Sequence, residues 1–281
     1  MQVFFKYQGA GNDFIVIDNR DMKFDATNVP LIKNLCDRRF GIGADGLMLL
    51  QNHADYDFEM RYFNADGREG SMCGNGGRCI VAFAKDLGIF EGEKTDFLAV
   101  DGPHTAILTE ISTIQAVAET QFNRPLYTVK LQMIDLNTIL SDGRAWVLDT
   151  GSPHYVEEIS GLQDFPLIEE AKKIRYGSSY GAKGINVNYV ESTGPDAYAI
   201  RTYERGVEDE TYACGTGATA AALAMAHQLG KEGTHKIQMQ AIGGLLTIHF
   251  NKSKNQFTEV YLEGPATFVF EGKIGLSRFY H

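Results

Sequence analysis

A cysteine followed by glycine, one further residue and glycine again occurs twice, and the two copies lie half a chain apart. Cys73-Gly74-Asn75-Gly76-Gly77 and Cys214-Gly215-Thr216-Gly217-Ala218 are separated by 141 residues (214 − 73 = 141) in a chain of 281. Three further pairs of segments keep nearly the same spacing and the same order: GNDFIV at Gly11 with GSPHYV at Gly151, GIGADGLMLL at Gly41 with GAKGINVNYV at Gly181, and MRYFNADG at Met60 with AIRTYERG at Ala199. An ordered repeat of half the chain predicts a duplicated architecture. Two similar domains are expected to face each other, with a site between them.

The repeated motif also predicts local structure. Residues 56–63 and 198–203 alternate as strands do, and each leads through a glycine-containing turn to the cysteine. After Cys73, the residues Ile80, Phe83, Ala84 and Leu87 recur on one helix face until Gly88; after Cys214, Ala220, Leu223, Ala224 and His227 do so until Gly230. Each cysteine is therefore expected at the mouth of a buried helix, beside glycines that let a ligand approach the backbone amides.

Composition narrows the partners. With 26 basic against 36 acidic side chains, a net charge of −10 argues against phosphate-backbone binding, so no nucleic acid is expected. No run of uncharged apolar residues is long enough to span a bilayer, and the opening MQVFFKYQGAGNDF carries Lys6 inside its apolar run and shows no small-residue cleavage pattern. No membrane association and a cytoplasmic location are the expectations. Four cysteines are too few for a disulfide scaffold of this length. Cys36 and Cys79 read as small buried hydrophobes. Cys73 and Cys79 lack Cys-x-x-Cys spacing, so no metal site is expected, and neither glycine-rich stretch fits a P-loop or a dinucleotide fingerprint.

A thiol at a helix N-terminus ionises more readily, because the unpaired amides and the helix dipole favour the thiolate. The same amides bind a carboxylate. Two such mouths suit an acid whose reacting carbon adjoins its carboxylate: one thiolate removes the α-proton and the other thiol delivers a proton to the opposite face. Racemisation or epimerisation without a cofactor follows from that pairing. His154, beside Pro153, is either a loop cap or a site residue, and Asn12, Asn64 and Asn186 are either turn residues or site residues.

The segments GAGNDFIVID, GIGADGL, YFNADGREGSMCGNGGRC, SPH, GINVNYV, TYERG, ACGTGA and GPATFVFEG together resemble the diaminopimelate epimerase family over essentially the whole chain. The resemblance implies an α/β (α+β) fold of two pseudo-symmetric domains, each with strands wrapped around a central helix and the active site in the cleft between them. It divides the chain into residues 1–118 plus 265–281 and residues 119–264. It implies an isomerase that interconverts LL- and meso-diaminopimelate, a small-molecule substrate, without a cofactor, on the route to lysine and peptidoglycan; it is compatible with a homodimer. Cys73 and Cys214 correspond to the base and acid pair. Gly74, Asn75, Gly215 and Thr216 would receive the carboxylate at the reacting centre; Asn64, Asn186 and Arg205 the distal carboxylate; Glu204 an ammonium group. Asn12 would line the reacting end, and His154 would support thiol ionisation or substrate orientation. The chain departs from common family patterns at Ser152, at Gly46 and in a loop one residue longer between Arg205 and Cys214. A proline or hydroxyproline racemase of similar fold and a thiol-disulfide redox protein are the alternatives.

Overall fold

A computed structural model describes residues 1–70, 72–113 and 125–279. The chain falls into two units, Met1–Leu131 with Pro265–His281 and Gln132–Gly264. The domain boundary expected at 118/119 lies outside the described residues; the units exchange at 131/132 and again at 264/265.

The first unit opens with β1 (Gln2–Gly9) and β2 (Asn12–Asp18), an antiparallel hairpin closed by Ala10 and Gly11. Both loop residues have positive φ, 52° and 83°, the backbone that a two-residue hairpin turn requires. Helix α1 (Val29–Cys36) then carries the chain to β3 (Gly46–Gln51), which pairs parallel with β2. Asn28 caps α1 by accepting the Leu31 N–H at 3.0 Å, and Leu31, Ile32, Leu35 and Cys36 bury its inner face. β4 (Phe58–Asn64) returns antiparallel to β3, α2 (Gly74–Asp86) crosses over, and β5 (Lys94–Ala99) joins parallel to β4. β6 (Gly102–Thr113) and β7 (Pro125–Gln132) extend the sheet antiparallel.

The second unit repeats these pairings. After the short β8 (Leu140–Asp142) come β9 (Ala145–Asp149) and β10 (Pro153–Glu158), antiparallel; then α3 (Leu167–Arg175) and β11 (Asn186–Gly194), parallel to β10. β12 (Ala197–Glu204) turns back on β11, with β13 (Asp209–Thr211) folded against it. α4 (Gly215–Gln228) crosses to β14 (Gly233–Ala241), parallel to β12, and β15 (Gly244–Ser253) follows antiparallel. The long β16 (Gln256–Ile274) pairs through its first half with β15 and through its second half with β1.

The registers repeat as well: Phe14 lies opposite Gly46 in one unit and His154 opposite Asn186 in the other, each pair displaced by 140. The strands begin at Phe58 and Ala197, close to the expected 56 and 198. In each unit one helix is central. α2 is buried from Gly74 to Ala84 and packs on β1 to β4; α4 packs on β9 to β12, β14 and β15. The alanines of α4 leave it apolar all round, which suits a helix enclosed by strands. α1 and α3 are one-sided helices over satellite cores, around Leu31, Leu35 and Leu47 in one unit and Leu167, Tyr189 and Tyr203 in the other.

Candidate active site

Cys73 is the N-cap of α2, in extended backbone, and its sulfur accepts the Gly76 N–H at 3.2 Å. Gly76 is bare for a reason: a Cβ there would sit 3.2 Å from that sulfur and 3.3 Å from Met48 Sδ. Gly9 permits a second close approach, since its Cβ would lie 3.3 Å from both Asn75 O and Cys79 Sγ. The β1–β2 hairpin is thereby seated against the first turn of α2, which brings Asn12 to Asn75. Cys36 and Cys79, expected to be small buried hydrophobes, are both buried.

A polar chain runs through this end of the first unit. The buried Arg78 donates to Asn75 Oδ1 (2.9 Å); Asn75 Nδ2 donates to Asn12 Oδ1 (3.3 Å); Asn12 Nδ2 donates to Asp45 Oδ2 (2.6 Å). Arg38 bridges Asp45 and Asp13, and Lys6 pairs with Asp13. Burial opposes the Asp13 charge, but Arg38 and Lys6 outweigh it and hold the carboxyl well below the usual carboxylate range. Asn12 and Asn75 are thus fixed at both ends of their amides rather than merely occupying a turn. Asn64 ends β4, exposed, with its amide beside Gly70.

In the second unit Cys214 is the N-cap of α4 but makes no side-chain cap bond; its sulfur lies 3.4 Å from Thr216 Oγ1. Thr216 Oγ1 is 3.0 Å from His154 Nε2, and His154 Nδ1 is 3.1 Å from Asn188 Nδ2. Asn188 Nδ2 has two protons, one for Tyr155 O (2.9 Å) and one for the ring. His154 Nδ1 is then an acceptor, and the ring proton sits on Nε2, donated to Thr216. Burial, with the nearby Arg205 charge, pushes His154 down to about 3, so the ring is neutral at working pH. His154 therefore acts through Thr216 as a neutral donor, leaving the Thr216 hydroxyl proton for the sulfur.

Gly217 is what lets α4 lie this close to the relay. A Cβ there would fall 2.4 Å from Asn188 Oδ1, which also accepts the Thr202 hydroxyl at 3.0 Å, so the amide has nowhere to turn. Gly217→Ala is expected to destabilise the protein by about 1–3 kcal/mol, the usual range for overpacking, and to lower turnover by shifting His154 and Thr216. Denaturant unfolding beside kcat reads both, and an unchanged midpoint would mean that the strands yield instead.

Asn186 is buried and organises the end of β12. Its Nδ2 donates to Ser152 Oγ (2.8 Å) and Pro153 O (3.0 Å), and its Oδ1 accepts the Arg205 N–H (2.8 Å). Ser152, one of the departures from the common family pattern, is thus the acceptor that completes this amide. Glu204 closes β12 opposite Asp209, and the turn from Arg205 to Glu208 follows. The Glu208 carboxylate gathers Arg175 Nη2 (2.6 Å), the Tyr176 hydroxyl (2.6 Å) and the Gly206 N–H (3.1 Å). Burial raises its pKa, but these donors outweigh that and pull it to about 2. The lengthened loop is therefore anchored. Among the described residues, the Arg205 guanidinium makes one hydrogen bond, to Lys183 O at 3.5 Å.

Sequence reasoning missed Arg78, Asn188, Glu208 and the Arg38–Asp45 pair. The first two had a signal: Arg78 stands at the repeat position of Thr219, and Asn188 two residues beyond Asn186 shares its side of β11. Among the described residues, no group of three His, Cys, Asp or Glu side chains converges as a metal site would require.

Among solved structures, the chain is similar to a phenazine biosynthesis protein of the PhzF family from Bacillus anthracis (TM-score 0.72, 12% identity, covering 98% of this chain and 99% of that one). It is also similar to a probable proline racemase from Agrobacterium radiobacter K84 (TM-score 0.65, 14% identity, 100% and 94% covered). The fold is thus the strand-rich, mixed α/β fold that these proteins share. The diaminopimelate epimerase family matches residues 4–119 and 146–269. Proteins named diaminopimelate epimerase from Flavobacterium psychrophilum (48% identical, 96% of this chain and 99% of that one) and Chlorobaculum tepidum (43%, 95% and 99%) align along nearly the whole length. The chain belongs to the diaminopimelate epimerase family.

Proposed function

We propose that the protein is an isomerase that interconverts LL-2,6-diaminopimelate and meso-diaminopimelate by moving one α-proton. The observation that carries this reading is the placement of Cys73 and Cys214, each at the N-terminus of a buried central helix, in a chain that belongs to this family. One thiolate takes the α-proton: a C–H bond breaks, an S–H bond forms, and the electron pair moves toward the carboxylate. The other thiol then returns a proton to the opposite face and becomes the thiolate. Amides of Gly74, Asn75, Gly215 and Thr216 bind that carboxylate and stabilise the charge that develops on it.

Asn12 lines the reacting end, where its fixed amide orients the substrate. Asn64, Arg205 and Asn186, the last through its hold on the Arg205 backbone, serve the distal carboxylate, while Glu204 receives an ammonium group. His154 keeps Thr216 turned toward Cys214. The substrate is a soluble diamino dicarboxylic acid used for lysine and peptidoglycan precursors. The reading places the enzyme in the cytoplasm, acting without nucleic acid and free or as a homodimer. Among the described residues, no helix is long and apolar enough to cross a membrane.

The reduced protein, given LL-diaminopimelate in deuterated water, is expected to form the meso isomer with deuterium at the inverted carbon only, read by proton NMR. Exchange on proline with none on diaminopimelate would move the assignment to the proline racemases. Full activity with Cys73 and Cys214 joined in a disulfide would favour redox chemistry instead.

A further inference from the structure

The two helix mouths are alike in backbone and unequal in charge. Arg78 of α2 and Thr219 of α4 occupy corresponding positions (219 − 78 = 141), and both are fully buried. Each donates to the carbonyl four residues back: Arg78 Nη1 to Gly74 O at 3.1 Å, and Thr219 Oγ1 to Gly215 O at 2.9 Å. One of these groups is a cation and the other a hydroxyl. The remaining bonds of Arg78 go to Asn75 Oδ1 (2.9 Å) and Pro265 O (3.3 Å), so all three acceptors are neutral. Among the described residues no carboxylate pairs with it.

A guanidinium cannot shed its proton, and a buried charge without an opposite charge is costly. Arg78 therefore adds positive potential to a helix N-terminus that is already positive. The guanidinium is held on Gly74 and Asn75, the two residues that follow Cys73, and Cys79 is its chain neighbour, so two sulfurs lie in that field, Cys79 and Cys73. Cys79 is enclosed, and burial pushes its thiol far above the ordinary range. Cys73 is half-buried and already accepts a backbone N–H. At the other mouth the Cys214 sulfur lies 3.4 Å from the Thr216 hydroxyl, with the neutral His154 ring and the Arg205 charge behind it.

The other charged groups on the elements around α2 are engaged elsewhere, among them Asp18 of β2 with Arg20 and Glu59 of β4 through its charge on Arg61. Lys6 pairs with Asp13 across β1 and β2, Arg38 with Asp45 ahead of β3, and Arg61 with Glu69 on β4, which also carries Tyr62. His104 pairs with Asp101 in the β5–β6 turn, where Asp101 also takes the Met72 N–H, and the Tyr7 hydroxyl meets Asp86 at the far end of α2. None of these carboxylates neutralises Arg78.

We propose that Arg78 is a positioning residue whose guanidinium is the counter-charge of the Cys73 thiolate, so that the resting enzyme carries its negative sulfur at Cys73 and its thiol proton at Cys214. This rests on the two-thiol reading above. A nearby positive charge favours the thiolate and so lowers the pH at which a thiol ionises; removing Arg78 raises that pH.

The test is iodoacetamide alkylation of the full reduced chain as a function of pH, with each cysteine read separately by mass spectrometry. The Cys73 rate is expected to reach half its maximum at least about one pH unit below that of Cys214. Arg78→Met should move the Cys73 midpoint up by about one to three units and leave Cys214 in place; Arg78→Lys, which keeps the charge, should largely restore it. Coincident or reversed wild-type midpoints overturn the proposal, as does an unmoved Cys73 midpoint in Arg78→Met. The wild-type comparison decides alone if the Met variant does not fold. Epimerisation in deuterated water on the same preparation separates the two ideas: an inactive protein with separated midpoints sinks the function, and an active one with coincident midpoints sinks the role of Arg78.

Discussion

Cys73→Ala and Cys214→Ala are each expected to lower epimerisation of LL-diaminopimelate by at least about 10³-fold, within the range that a positioned acid or base contributes. Both losses should appear in both directions of the reaction, because the base of one direction is the acid of the other. An enzyme with a single working base would lose activity at one position and keep it at the other. Wild-type turnover in either variant would falsify the two-thiol scheme. The variants should differ in stability in a way that reflects their capping. Cys73 satisfies the Gly76 N–H, so its removal is expected to cost about 0.5–2 kcal/mol, the range for a lost N-cap. Cys214 makes no such bond and its removal should cost less. Parallel urea melts check this difference and guard against attributing unfolding to lost chemistry.

Arg205→Ala carries the second largest expected effect, a fall of about 10²–10³ in kcat/KM. Charge-assisted hydrogen bonds contribute about 1.5–3 kcal/mol each, and a bidentate hold on a carboxylate supplies two. Because the distal carboxylate is remote from the reacting carbon, part of the loss should fall on kcat, since binding energy far from the chemistry orients the substrate for it. The turn is expected to survive. Asn186 holds the Arg205 backbone and Glu208 holds the Gly206 N–H, whereas among the described residues the guanidinium has one long contact, to Lys183 O. The effect does not pass through His154, whose neutrality comes first from burial. Normal kinetics together with a large fall in melting temperature would make Arg205 a structural residue.

Much of this site was legible because a duplication leaves a regular trace. The Cys-Gly-X-Gly pair, the glycines that end α2 and α4, and the near-constant offset place both thiols at helix mouths without knowledge of the strands. Asn12 was legible only as a candidate, because its partner Asp45 lies 33 residues away and meets it through a parallel pairing. The same limit hid Asn188. A lone asparagine in a strand has no local signature; its role comes from His154, which a second parallel register sets beside it. Glu208 was hidden differently. It stands in a loop whose added length read as a departure, yet positive φ at Glu208 (61°) and the reach to Arg175 turn that length into an anchor. The duplication also draws attention to likeness and away from difference, which is why Arg78 opposite Thr219 was overlooked.

The division of β16 between the units has a consequence for the order in which the protein is made. A nascent chain that has passed residue 264 contains every strand of the second unit, but in the first unit β1 still shows an open edge, and Arg78 still lacks the Pro265 carbonyl. Such an edge invites pairing with another chain. The unit that is synthesised first is therefore the unit that is finished last, and the surroundings of Cys73 are completed only after the whole second unit has been made.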